Sequence, residues 1–269
     1  MRFRTISAAT LLVVFIVASA CTPEEPHSGS GDAGADAQTD TQDDATSTGT
    51  CSASGELLYF HDDERRSTMI GDVTGDGVAE TATLQQDGDA DILSLGTDAG
   101  IVMGNNGFLV NVMSEDVNAD GQLDLLIAQP WKSEAAIFFG PIRETVTWDA
   151  ADIVFAAPTH GGLENLFGSG LVAGHLNDDA SVDLLITAPA EGEEGCLGQE
   201  PPRVYYGPLQ SGRYDREDAD LELQAPQREC IGLRARCASN GFELLGQRGN
   251  TCVSYPVPLD DGTSAEACE

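Results

Sequence analysis

The sequence predicts an all-β protein assembled from repeated units of several short strands. Three observations predict it. Short apolar runs alternate with turn-forming clusters along most of the chain, one acidic loop phrase occurs three times, and a longer segment around that phrase occurs twice. Internal repetition of this kind fixes an architecture more firmly than any single motif.

The apolar runs fall at 56–60, 101–103, 108–113, 123–128, 135–139, 182–188 and 203–206, with Gly, Asn, Asp and Pro clusters between them. Runs of this length bounded by turn residues read as strands, and no stretch sustains a helical period for three turns.

The acidic phrase is clearest at DVNADGQLDLLIAQP (116–130). Asp116, Asn118, Asp120 and Asp124 stand at relative positions 1, 3, 5 and 9, with Gly121 at position 6, where a loop wrapped round an ion turns sharply. Inward-pointing oxygens at alternating positions are how a hard cation such as calcium is caged. The loop closes at position 9 and runs into Leu125, Leu126 and Ile127, so a buried strand follows it rather than a helix. Upstream, Asp72, Thr74, Asp76 and Glu80 take the same register with Gly77 at position 6. Downstream, His175, Asn177, Asp179 and Asp183 do so with Ala180 in place of the Gly. Carboxylates about 4 Å apart repel by about 4 kcal/mol per pair at an effective dielectric of about 20. Several in one loop therefore call for a cation or protons, although an Asx-rich turn without metal is the plainer alternative.

The longer repeat lays AIFFGPIRETVTWDAADIVFAAP (136–158) over RVYYGPLQSGRYDREDADLELQAP (203–226). Each copy is an aromatic strand, Gly-Pro, a turn, then an Asp-Ala-Asp segment (Asp-Ala-Ala-Asp in the first copy), and each lies downstream of an acidic loop and its Leu-rich strand. One unit is then a glycine-led strand (108–113 or 169–174), the loop, a buried strand, an aromatic strand and an outer strand. Four strands per unit at roughly 60-residue spacing suit a β-propeller blade.

The stretch NLFGSGLVAGHLNDDASVDLLITAPAE resembles an FG-GAP repeat, the blade of the integrin alpha-subunit propeller. Phe167-Gly168 matches its first element, and Thr187-Ala188-Pro189 and Ala128-Gln129-Pro130 are variants of its last. The resemblance covers roughly residues 67 to 226. It implies a propeller-like array of about three to four blades, with Ca2+ held by Asp116, Asn118, Asp120 and Asp124 and by the carbonyl of Gln122. It carries over to Asp72, Thr74, Asp76 and Glu80, with Thr74 a poorer ligand. It carries over to Asn177, Asp179 and Asp183 with less force, because His175 and Ala180 depart from the pattern. A full ring of the resembled kind has more blades than this chain supplies. Either a small ring closes with strand 56–60 completing its last blade, or an incomplete array is capped by the C-terminal segment or a partner; the capped array is the expectation.

Residues 1–21 read as an export signal, with Arg2 and Arg4 before an uncharged run to Ala20 that is short for a membrane span. Ala18-Ser19-Ala20 before Cys21 resembles the lipobox of bacterial lipoproteins, which implies lipidation of Cys21 and anchoring to the cell envelope. Residues 22–50 hold seven acidic residues and no Lys or Arg. So little to bury predicts a disordered tether. Residues 51–229 then form the repeats, and 230–269 a Cys-rich partial repeat or cap.

The formal charge is −32, and loss of Arg2 and Arg4 with the signal takes it to −34. Such a field disfavours nucleic acid and anionic lipid as partners. Setting Cys21 aside leaves six cysteines, an even number suited to disulfides in an oxidising compartment. The four histidines have no G-x-S-x-G or H-E-x-x-H pattern near them, Glu193-Glu194 and Glu217-Asp218 sit in hydrophilic loops, and Trp131 and Trp148 stand at strand ends. The reading is a non-enzymatic surface module that binds a protein or glycan. An extracellular hydrolase or its accessory domain is the alternative.

Overall fold

The computed structural model describes residues 50–59, 66–87, 90–96, 98–104, 109–157, 167–177, 179–188, 200–223, 230–238, 241–248, 251–257 and 266–267. The signal, Cys21, the tether and all cysteine side chains lie outside the described part.

The protein is all-β. In chain order the strands are β1 (Thr50–Ser54), β2 (Glu56–Tyr59), β3 (Ser67–Met69), β4 (Thr81–Asp87), β5 (Ala90–Ser94) and β6 (Gly100–Gly104). There follow β7 (Leu109–Glu115), β8 (Asp124–Gln129), β9 (Glu134–Phe138), β10 (Thr145–Thr147), β11 (Ile153–Ala156), β12 (Gly170–His175) and β13 (Asp183–Ala188). The last are β14 (Glu200–Tyr205), β15 (Gly212–Tyr214), β16 (Leu221–Glu222), β17 (Cys230–Ala238), β18 (Gly241–Arg248), β19 (Thr251–Val257) and β20 (Glu266–Ala267). They form four sheets, ordered β3-β4-β5-β6-β10, β2-β7-β8-β9-β11-β15, β1-β12-β13-β14-β16 and β17-β18-β19-β20.

The first three sheets share one plan. Each has an antiparallel run in which an acidic loop joins the first strand to the second: β3 to β4, β7 to β8, β12 to β13. In the middle and third sheets the second strand is apolar because it is covered on both sides, and every residue of β8 and of β13 is buried, whereas β4 of the first sheet buries only Ala82 and Leu84. In β8, Leu125 and Ile127 pack toward the first sheet with Leu84, Leu93 and Ile101, while Leu126 and Ala128 pack toward the third with Phe167, Leu171 and Leu184. Period-2 alternation thus feeds two cores rather than one core and water. Phe167 fills the second of these cores.

The units are also stitched at their outer edges. β10, from the connection between β9 and β11, pairs in parallel with β6 of the preceding unit, and β15, from the connection between β14 and β16, pairs in parallel with β11. The last aspartate of the shared acidic segment, Asp152 or Asp220, has a physical role here. Asp152 accepts the Phe139 amide at 2.8 Å, and Asp220 accepts the Tyr206 amide at 2.7 Å, tying each outer strand to the end of its aromatic strand.

The alternative in which strand 56–60 completes the last unit of a small ring does not hold: residues 56–59 form β2, which pairs with β7 of the middle sheet, and β1 pairs with β12 of the third. The chain from 50 to 59 therefore runs along the inner edges of two units, and Gly55 between the strands donates to the Leu171 carbonyl at 2.7 Å. An edge strand paired in this way no longer offers free backbone groups. At the C-terminal end, Val172, Leu185 and Val204 are buried on the face of the third sheet turned away from the middle one, and β17 runs beside β12 and β13. Among the described residues the four sheets are not shown to close into a ring.

Candidate metal centre

The three acidic loops lie at the same end of their sheets, because each follows the first strand of its unit. Their backbones follow from the spacing. In the first loop Asp72 accepts the amides of Gly75 and Asp76 on Oδ1 (2.7 and 3.1 Å) and of Gly77 on Oδ2 (2.8 Å). In the second, Asp116 accepts Asp120 N on Oδ1 (3.1 Å) and Gly121 N on Oδ2 (2.9 Å). Position 6 is left-handed in both, with φ of 90° at Gly77 and 84° at Gly121, which is why a glycine stands there. Position 4 is left-handed too, at Gly75 and at Ala119.

Position 9 closes each loop from within the protein. Glu80, buried, accepts the Val73 amide at 2.8 Å on Oε2 and the Thr74 hydroxyl at 2.6 Å on Oε1. Asp124, buried, accepts Val117 N at 3.0 Å on Oδ2 and Gly140 N at 2.9 Å on Oδ1. Asp183, buried, accepts Leu176 N and Asn177 N on Oδ2 (2.7 and 3.2 Å) and Gly207 N on Oδ1 (2.9 Å). Burial pushes the Asp124 carboxyl up to about 6; its two amide donors oppose the rise, and the charges of Asp120 and Asp116 add to it.

The first loop brings one oxygen each of Asp72, Asp76 and Glu80 within 4.8 Å of one another. Calcium–oxygen distances of about 2.3–2.6 Å put ligands on opposite sides of one ion about 5 Å apart, so these three fit a single coordination sphere. The donor set is all hard oxygen, and Gly77 faces open space. In the second loop Asn118 and Asp120 are drawn into Asx turns: Asn118 Oδ1 accepts Asp120 N at 2.9 Å, and Asp120 Oδ1 accepts Gln122 N at 2.8 Å. Asp124 holds both its oxygens on backbone amides.

The third loop is built differently. Asn177 and Asp179 make the same Asx turns, at 2.9 and 2.7 Å, but His175 Nδ1 donates to the Ser181 carbonyl at 2.6 Å. A hydrogen bond there joins position 1 to the position-7 carbonyl, the two groups that a cation would otherwise bridge. Among the described residues Ala119 and Ser133 are the non-glycine residues at positive φ, so Ala180 does not take the left-handed turn of Gly77 and Gly121.

Residues that the spacing did not single out hold the loops in place. Ser114 Oγ accepts the Gly71 amide at 2.9 Å, and Ile142 N donates to the Val73 carbonyl at 2.8 Å. Gly140 and Gly207 serve position 9, and the repeated Gly-Pro was the available signal. Trp148 lies edge-on to Phe138 at 6.0 Å and packs on the first core. Compared with known proteins, the chain matches no family model and no curated sequence.

Proposed function

We propose that the chain is a calcium-stabilised, non-enzymatic binding, adhesion or scaffold module made of FG-GAP-type, propeller-like units and held at the bacterial cell surface by a lipid on Cys21. The observation that carries it is the convergence of Asp72, Asp76 and Glu80 in a loop whose framework recurs in register in the next unit. Calcium would take Asp72, Asp76 and Glu80 with Thr74 nearby in the first loop, and Asp116, Asn118, Asp120, Asp124 and the Gln122 carbonyl in the second. It would supply the positive charge that lets each carboxylate cluster stay ionised and compact. The third loop, with Asn177, Asp179 and Asp183, keeps the framework with His175 in place of one ligand. The acidic surface suits a protein or glycan ligand better than a polyanion.

Isothermal titration of the mature chain with calcium tests the metal reading. A cation that binds the folded chain alone stabilises it by about 2.7 kcal/mol per site at a hundredfold excess over Kd. Chelation should lower the melting temperature, and Asp76→Ala should remove most of the first loop's share. Absence of both calcium heat and a melting shift leaves the loops as acidic turns. Anchoring is tested by cell fractionation: Cys21→Ser should move the protein from membrane to soluble fraction, and a variant that still sediments with membranes refutes the lipid anchor.

A further inference from the structure

The outer edges of the first two units are each closed by a strand that the next unit supplies. β10 pairs in parallel with β6 and β15 with β11, and the Gly212 amide donates to the Asp152 carbonyl at 2.9 Å where β15 starts. The third unit has the same frame without a supplied strand. In the sequence repeat Asp220, Leu221 and Leu223 take the places of Asp152, Ile153 and Phe155, and Leu221 lies opposite Val204 across β16 and β14 as Ile153 lies opposite Ile137 across β11 and β9. Yet Ile153 is 0% exposed and Leu221 40%. Ile153 belongs to the core shared with the third sheet. Beside it, Phe155 has the rings of Tyr205 and Tyr214 at 4.7 and 5.2 Å, one from the next unit's aromatic strand and one from its supplied strand. Among the described residues β16 ends its sheet with no strand on its outer side, while β17 runs beside β12 and β13.

We propose that β16 and the exposed Leu221 form a docking edge for an extended, lysine- or arginine-bearing segment of a partner protein, which pairs in parallel with β16 as β15 pairs with β11 and lays an apolar side chain on Leu221. An open strand edge is a template for main-chain pairing, and an apolar residue beside it adds side-chain selection. The charge of the partner follows from the surroundings. Residues 212–223 hold Asp215, Glu217, Asp218, Asp220 and Glu222 against Arg213 and Arg216, and both arginines already face carboxylates, Asp215 at 3.4 Å and Glu222 at 3.7 Å. Electrostatic complementarity therefore selects a cationic segment. The same field turns away this chain's own residues 22–50, which hold seven acidic residues and no Lys or Arg, and a second copy of formal charge −32. A second copy also has its β10 and β15 paired within its own sheets, and its first unit joins β5 to β6 with no strand between them to supply. Docking at this edge needs neither the cation nor the lipid anchor proposed above.

A fluorescent peptide of residues 208–218 carrying Asp215→Lys, Glu217→Lys and Asp218→Lys copies a supplied strand with its charge reversed, and its anisotropy with the mature chain measures docking. Saturable binding is expected, with slower hydrogen exchange over residues 220–223 in the complex. Gly212→Pro in the peptide removes the amide that donates to Asp152 in β15, and Leu221→Gln in the chain removes the apolar anchor without disturbing a buried side chain. Each should weaken binding about tenfold, the effect of losing one anchoring contact. The peptide with its native acids should also bind about tenfold more weakly than the lysine form. No binding, or binding that either Gly212→Pro or Leu221→Gln leaves unchanged, overturns the docking edge, and equal binding of the acidic peptide overturns the cationic partner. Exchange over 220–223 in the free chain as slow as over 152–155 would show that the chain's own tail covers β16. A dimer of the mature chain that Leu221→Gln abolishes would show a second copy there, and either result overturns the partner protein as occupant.

Discussion

Asp124 and Gly140 meet across the middle unit, carboxylate Oδ1 on backbone amide at 2.9 Å, and Asp183 and Gly207 repeat that bond at 2.9 Å in the next. In both pairs the glycine precedes a proline and is pressed against the carbonyl of the residue before the aspartate, Leu123 or Val182. The repeated Gly-Pro is thus the clamp on the acidic loop, set where the aromatic strand ends.

Replacing that glycine should be costly. A Cβ on Gly140 would overlap the Leu123 carbonyl oxygen and reach within 3.1 Å of its carbon, so the backbone must move and the buried carboxylate loses a donor. Overpacking and a weakened bond to a charged group together cost about 3 kcal/mol. Gly121→Ala, with open space around its Cβ but φ at 84°, should cost about 1 kcal/mol. Urea unfolding of both variants in chelator checks the order; equal midpoints would show that the clamp is slack.

Much of this fold was legible because its strands are covered on both faces. Runs 123–128, 135–139 and 182–188 return as β8, β9 and β13 within a residue or so at each end, since a stacked sheet needs continuous apolar sequence. The loop register was legible because Asx turns and left-handed glycines require particular residues at particular steps. The parallel strands β10 and β15 were not: TVT and GRY are exposed or half-buried and carry no alternation, and their pairing is decided by the neighbouring unit's edge. The place of β2 was hidden for the same reason, as nothing in ELLY distinguishes the inner edge of one sheet from that of another. Position 9 was read as a ligand from its spacing, whereas its bond to an amide 16 residues later in the second loop is a tertiary fact that only the repeated Gly-Pro hinted at.

The raised pKa of Asp124 gives the second loop a pH dependence of known sign. Its carboxyl titrates near 6 when folded, against an ordinary value of 3.8, so without calcium its contribution to stability is full below about 3.8 and is lost as pH rises through about 6. Calcium favours the ionised form, so its affinity for the second loop should rise with pH up to about 6 and then level off. Below that point binding should release a proton. Titration at pH 5.5 in two buffers of different ionisation heat reads the proton directly, and urea midpoints of Asp124→Asn against the parent between pH 4 and 7 isolate the single group from the other carboxylates. Equal heats in both buffers would mean that Asp124 is already ionised.

The third loop offers the sharpest test of how a cation and a hydrogen bond substitute for each other. His175 Nδ1 donates to the Ser181 carbonyl at 2.6 Å, so position 1 and the position-7 carbonyl are already joined, and that carbonyl has a partner without metal. Asp179 and Asp183 remain in the places of Asp120 and Asp124, and Asp183 keeps its clamp on Gly207. At the side-chain ligand positions and the position-6 turn, two changes separate this loop from the second: the imidazole for a carboxylate, and Ala180 where a left-handed turn needs glycine. The double variant His175→Asp, Ala180→Gly removes the closing bond, supplies the missing carboxylate and frees the turn. It should raise the calcium stoichiometry of the mature chain by one, and in chelator it should be less stable than the parent by about 1–2 kcal/mol, the cost of losing the hydrogen bond and adding a carboxylate to an acidic loop. His175→Asp alone should gain less affinity, because Ala180 must then take a left-handed conformation at a cost of about 1–2 kcal/mol. If the double variant binds no more calcium than the parent, position 1 does not limit this loop, and the assignment of ligands by register in the other two fails with it.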